Sequence, residues 1–182
     1  MTHRRRDRSL GDGVYFAAED YIGFSPRIVI LIVDSAVLLV IVWALAFIWL
    51  NMFGEYDQLF PWILGLAIWL YVVPLKRSKT RTIGYRMVGA RLVTLKGHRP
   101  SLMMLTFRSL LWMFGPCNFV FDLIWCGIDD DQQTMRDRFT YMCLVRNGAE
   151  PIGTGEVHLA YVNAFGYTLA LPHVVHPKTA GP

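Results

Sequence analysis

The chain has 182 residues, 54% of them hydrophobic and only 18% charged, with a mean hydropathy of +0.35. That composition excludes an ordinary soluble domain and points to a small integral membrane protein whose first partner is the lipid bilayer. The net charge of +4 does not indicate nucleic acid, because the basic residues gather beside apolar runs: Arg4, Arg5, Arg6 and Arg8 before the first, Lys76, Arg77, Lys79 and Arg81 after the second.

Residues 1–20 read as a polar N-terminal segment. Tyr21-Ile22-Gly23-Phe24-Ser25-Pro26 then leads into the first apolar run, with Ser25 expected as N-cap, Pro26 at the first helical position, and Tyr21 and Phe24 at headgroup depth. The run from Ile28 to Leu50 is long enough to cross a hydrocarbon core of about 30 Å as a helix. Asp34 sits inside it, at a cost of about 2.5–3.5 kcal/mol on insertion scales, so something must offset it. Arg27 lies two turns earlier on the same stripe, about 10 Å along the axis and out of reach within one helix. A partner on another segment is expected, and Arg108 is the expected one. The basic start, the apolar run and Ala44-Leu45-Ala46 imitate a signal peptide, but the run continues to Leu50 and a second follows, so a retained helix is expected.

The stretch Asn51 to Gln58 carries Glu55 and Asp57 but no Lys or Arg, and the second apolar run extends from Leu59 to Leu75. The positive-inside rule places the N-terminus in the cytoplasm, the short loop outside and Lys76 onward inside again, in what is expected to be a bacterial inner membrane. Trp49, Phe53, Tyr56, Phe60 and Trp62 crowd the outer loop as an aromatic belt would. Thr82 to Ser101 mixes basic and apolar residues and reads as surface-bound structure, with a short strand from Ala90 to Leu95. A second strand candidate, Phe139 to Arg146, is expected to pair with it.

Between them, Leu102 to Ile128 is apolar but interrupted by Arg108, Gly115-Pro116, Asn118 and Asp122. As one helix of about 40 Å it would cross; broken at Gly115-Pro116 it would turn back as a re-entrant hairpin. The tail beyond Ala149 contains an alternating run, Glu156 to Phe165, that suits an extra hairpin. The fold expected is therefore an all-α membrane protein: a small helix bundle with a third apolar segment, spanning or re-entrant, and a short cytoplasmic β element. Its parts are a polar segment 1–20, a membrane domain 21–146 and a C-terminal extension 147–182.

Arg27 with Asp34, then Thr82-x-Gly84, Gly89-x-x-x-Val93, Gly97 and Arg108, and finally Gln133-Thr134-Met135-Arg136-Asp137, resemble the RDD family of small membrane proteins over roughly Tyr21 to Val145. The arginine and two aspartates of the family's name carry over to Arg27, Asp34 and Asp137. Family members often have His immediately before the second aspartate, where this chain has Arg136, which puts a proton-relay role for that position in doubt. The resemblance implies a membrane fold and, through a recurring suggestion for the family, transport, including cation/proton exchange.

The candidate polar framework is Arg27, Asp34, Arg108, Asp122 and Asp137. Asp34 has two open readings, a structural ion pair with Arg108 or a cation or proton site. Arg27 is expected to snorkel as an interface anchor. Asp122 lies fourteen residues after Arg108, about 21 Å along a continuous helix, and reaches it only through a break. Asp137 either caps backbone or joins Arg27 beneath the bundle. Cys117, Cys126 and Cys143 lack paired spacing, and His173-x-x-His176 is flanked by prolines, so neither a metal nor a cofactor is expected. No Walker loop, GxSxG, HExxH or dinucleotide glycine motif is present, and an enzyme is not expected. Two functions remain: transport or permeation with Asp34 as the ion-sensitive group, requiring a homo-oligomer because the spans are few, or a non-transporting scaffold or accessory subunit of a larger membrane complex.

Overall fold

The computed structural model describes residues 10–111, 122, 124–127, 132–164 and 167–175. Two helices dominate it. Helix α1 (Phe24–Phe53) has thirty residues, about 45 Å of rise, and ends at Gly54 in the left-handed conformation. It begins one residue ahead of the expected cap: Gly23 is the N-cap, and no side chain caps the helix. Helix α2 (Phe60–Val72) runs on through the turn α3 (Pro74–Arg77), so that Phe60–Arg77 forms a second apolar helical stretch.

Only 11% of the most apolar window of each stretch is buried within the protein. Val40, Trp43, Phe47 and Trp62 are all more than 60% exposed. An apolar surface of this extent is a lipid-facing surface, because water would not tolerate it on a folded monomer. The helices pack along one stripe of α1, where Arg27, Ile30 and Asp34 are buried at i, i+3 and i+7.

The rest of the chain gathers at the end of the pair where α1 begins and α3 ends. Helix α4 (Ile83–Val88) leads into strand β2 (Ala90–Thr94), and helices α5 (Leu102–Leu110) and α6 (Met135–Phe139) precede strand β3 (Met142–Arg146). Strands β2 and β3 are antiparallel, from Ala90 opposite Arg146 to Thr94 opposite Met142. The main core joins both layers: Ile22, Ile30 and Val73 from the helical side meet Leu92, Leu105 and Leu144. Each buried aliphatic side chain of this kind contributes about 1.5–3 kcal/mol.

The all-α expectation is overturned. Among the described residues there are five strands in two sheets. Besides β2–β3, a second sheet orders strand β1 (Asp12–Tyr15), strand β4 (Gly153–Ala164) and strand β5 (Tyr167–Val174) as β1-β4-β5. The physical reason is the two-residue alternation of the tail, which leaves Glu156 facing out and buries Val157, with Val174 paired opposite it and buried on the same face. The polar segment before α1 supplies β1, whose edge is tied to the first sheet by Val14 N–H donating to the Leu95 carbonyl at 2.7 Å. Tyr21, just before α1, is buried and bridges to Val145.

The β2–β3 register also excludes one of the two expected paths of the third apolar segment, the single crossing. A chain that leaves from Thr94 and returns to Met142 at the same sheet cannot cross the bilayer once in between. The Gly115-Pro116 break itself lies outside the described residues.

Candidate functional site

Both halves of the site hang from the buried stripe of α1. At its membrane-facing level, Asp34 is held without any cation within ion-pair distance among the described residues. The Tyr71 hydroxyl of α2 donates to Oδ1 at 2.9 Å, the Thr82 hydroxyl to Oδ2 at 2.8 Å, and the Gly84 backbone N–H to Oδ1 at 2.9 Å. The expected partnership with Arg108 is thus corrected: three neutral donors satisfy the carboxylate, joining α1, α2 and the start of α4. Position 84 has to be glycine. A Cβ there would stand 2.7 Å from the Ile30 carbonyl oxygen and 2.8 Å from Asp34 Oδ1. The Thr82-x-Gly84 pattern is therefore a carboxylate cradle, one hydroxyl and one bare amide.

Two turns earlier lies Arg27, which is buried rather than snorkelling. Its Nε donates to the Ile22 carbonyl at 2.9 Å, Nη2 to the Gln132 carbonyl at 2.8 Å and Nη1 to Asp137 Oδ2 at 2.7 Å. Arg108, from α5, takes the other oxygen of Asp137, with Nε at 2.8 Å and Nη2 at 2.7 Å from Oδ1. Asp137 has no exposed surface. It also closes a capping box, accepting from the Thr134 N–H while the Thr134 hydroxyl accepts from its own N–H. Burial alone would push its carboxyl up, but the Arg108 and Arg27 guanidiniums outweigh that and hold it well below the usual carboxylate range. Arg108 responds reciprocally: burial opposes its charge, and Asp137 more than restores it.

Asp122 does not reach Arg108 as a pair. It bonds the Arg136 side chain and backbone instead. Burial pushes Asp122 up and Arg136 down, and their contact offsets only part of this. The arginine that departs from the family's usual histidine thus holds a buried aspartate on a neighbouring segment.

Between α1, α2 and α5 lies a cavity of about 500 Å³. Asp34, Lys76, Arg108 and Asp122 line one end, and Leu38, Gly65 and Ile68 the other. Sequence reading overlooked Tyr71, Lys76 and the chemistry of Thr82 and Gly84. Tyr71 carried a signal, since a lone phenol in an aliphatic run needs a hydrogen-bond partner. Among the described residues no group of three or more His, Cys, Asp or Glu side chains is placed to hold a metal ion.

No curated protein and no solved structure matches the chain. The model of the RDD family matches residues 21–141, a span that contains α1, α2, the carboxylate cradle and the Asp137 clamp. With two apolar helices long enough to cross a bilayer and the family's arginine and aspartates joined in two clamps, this chain belongs to the RDD family.

Proposed function

We propose that the chain is a non-transporting membrane scaffold, an accessory subunit whose helix pair seats a strand-bearing layer at one surface of the membrane for a larger complex. The observation that carries this reading is that the family's charged residues are engaged inside the fold. Arg27 has three acceptors, Asp137 has a guanidinium on each oxygen, and Asp34 has three donors. Groups so engaged position backbone, and a cation would have to displace them to bind. The basic residues beside the helix ends favour a cytoplasmic strand layer in a bacterial inner membrane.

One observation favours transport as a second reading. Asp34 lines the cavity, and no cation neutralises it at ion-pair distance among the described residues. A cation-flux measurement in reconstituted vesicles separates the two. Equal flux for the wild type and Asp34→Asn, with a membrane partner recovered in fixed stoichiometry from native detergent, is expected for the scaffold. A wild-type flux abolished by Asp34→Asn would replace it with transport.

A further inference from the structure

The charges around the cavity do not balance. Arg27, Lys76, Arg108 and Arg136 line it against Asp34 and Asp122, and counting Asp137 behind them still leaves one positive charge in excess. The excess has an address. Arg27 and Arg108 share Asp137, and Arg136 holds Asp122, but no carboxylate among the described residues stands within ion-pair distance of Lys76. Lys76 is half-buried, its ammonium 5.2 Å from the centre of the Tyr85 ring. A ring face attracts a cation but does not neutralise it, and an ammonium drawn out of water calls for an anion.

Away from Lys76 the cavity becomes hydrocarbon in character. Leu38 of α1 and Ile68 and Val72 of α2 form its walls. Gly65 opens it further, because a Cβ at that position would meet no atom within 4 Å. Gly65 and Lys76 are eleven residues apart, about 16 Å along the helix. A volume of about 500 Å³ lies within the range of small-molecule sites, roughly 300–1,000 Å³. One charged end beside the basic residues Arg77, Lys79 and Arg81, and one apolar end reaching into the bilayer, is the polarity of a lipid standing in its own leaflet.

We propose that this cavity is a binding site for a phospholipid with an anionic head group, Lys76 engaging the phosphate and the α1–α2 seam near Gly65 receiving an acyl chain. The site does not rest on the scaffold reading: Arg27, Asp34 and Arg108 line the cavity but stay engaged in the two clamps, and the lipid is assigned to Lys76 and Gly65, which belong to neither. The lipid adds the missing negative charge and fills the space lined by α1 and α2.

The test is native mass spectrometry of the full chain titrated with dioleoylphosphatidylglycerol and, separately, dioleoylphosphatidylcholine. The wild type is expected to retain the anionic lipid preferentially. Lys76→Gln is expected to reduce that preference about fivefold, the equivalent of ~1 kcal/mol for one basic residue at a membrane surface. Lys76→Arg should restore it, and Lys79→Gln, which removes the same charge from an exposed neighbour, should leave it unchanged. Gly65→Leu should weaken retention of both lipids by filling the seam while the charge stays in place. Equal losses for Lys76→Gln and Lys79→Gln would overturn the site in favour of general attraction to a basic surface. Inorganic phosphate displacing the lipid at comparable concentration would overturn the lipid assignment in favour of a free anion.

Discussion

Arg27 and Asp137 stand 110 positions apart, yet Nη1 of the first lies 2.7 Å from Oδ2 of the second, fastening the start of α1 to the helix that precedes β3. Arg108 closes the other side of the same carboxylate. Removing one member of a buried ionic cluster leaves its partners uncompensated, at a cost of about 3–5 kcal/mol. Asp137→Asn strands two guanidiniums. We expect its melting temperature in detergent to fall by at least ~6 °C, followed through dye labelling of the buried thiols Cys126 and Cys143 as they become exposed.

The same carboxylate sets an acid limit. Its folded-state pKa is depressed, so its contribution to stability is fully present above the unfolded value of ~3.9 and is lost as pH falls through the folded value below it. Between pH 7 and 5 the wild type should therefore show no loss of stability from this group. A melting profile across pH 7 to 3 would reveal the decline only at the acid end. Asp137→Asn should lack that acid-end component.

The glycine of the carboxylate cradle gives a steric prediction. Gly84→Ala places a methyl 2.7 Å from the Ile30 carbonyl and 2.8 Å from Asp34 Oδ1, both fixed within α1. Backbone must move, and overpacking of this kind costs about 1–3 kcal/mol. Gly54→Ala is a different case, because nothing crowds that site and only its positive φ is strained. Comparing melting curves of the two variants separates a clash from a backbone penalty, and Gly84→Ala alone should also loosen α4 in hydrogen exchange.

Much of this arrangement can be read in the residues, and the remainder has identifiable causes. The two apolar runs and the pairing of Ala90–Leu95 with a strand ending at Arg146 follow from hydropathy and alternation. Asp34's need for a partner follows too, but the identity of that partner does not. A buried carboxylate can be satisfied by a cation or by neutral donors, and only the fold brings Tyr71, Thr82 and Gly84 to it from 37 to 50 residues away. Strand β1 was hidden for a related reason: four residues in a polar segment carry too little alternation to announce a strand, and its partner Gly153–Glu156 lies at the far end of the chain. The Asp137 capping box, by contrast, stands in the spacing of Thr134 and Asp137 itself.

Because the cradle is built of neutral donors, Asp34 should tolerate loss of charge better than loss of shape. In Asp34→Asn the amide oxygen can keep the Tyr71 and Gly84 donors, and the amide nitrogen can donate to the Thr82 hydroxyl. A change within about 1 kcal/mol is expected, since weaker hydrogen bonds are offset by removing a charge from the apolar helix. Asp34→Leu leaves three donors without an acceptor, at about 1–3 kcal/mol for each. Chemical denaturation of the two variants should differ severalfold in free-energy loss. Equal losses would show that the charge, not the acceptor geometry, holds the site.

The strand pairings carry a prediction about sidedness. Strand β1 precedes α1 and pairs with β4, while Tyr21, just before α1, bridges to Val145 in β3. Chain on both sides of the helix pair therefore meets in one layer. Two crossings by α1 and the Phe60–Arg77 stretch return the chain to its starting surface, and the β2–β3 register excludes a third single crossing before β3. Reporters fused ahead of β1 and after β5 should accordingly respond on the same side, which under the proposed orientation, with the basic residues flanking the helix ends inside, is the cytoplasm. A membrane-impermeant thiol reagent gives the complementary reading: a cysteine at Asp57, in the turn between α1 and α2, should label from outside intact cells while one at Glu150 should not. Labelling of Glu150→Cys from outside would break the link between the strand layer and the start of α1.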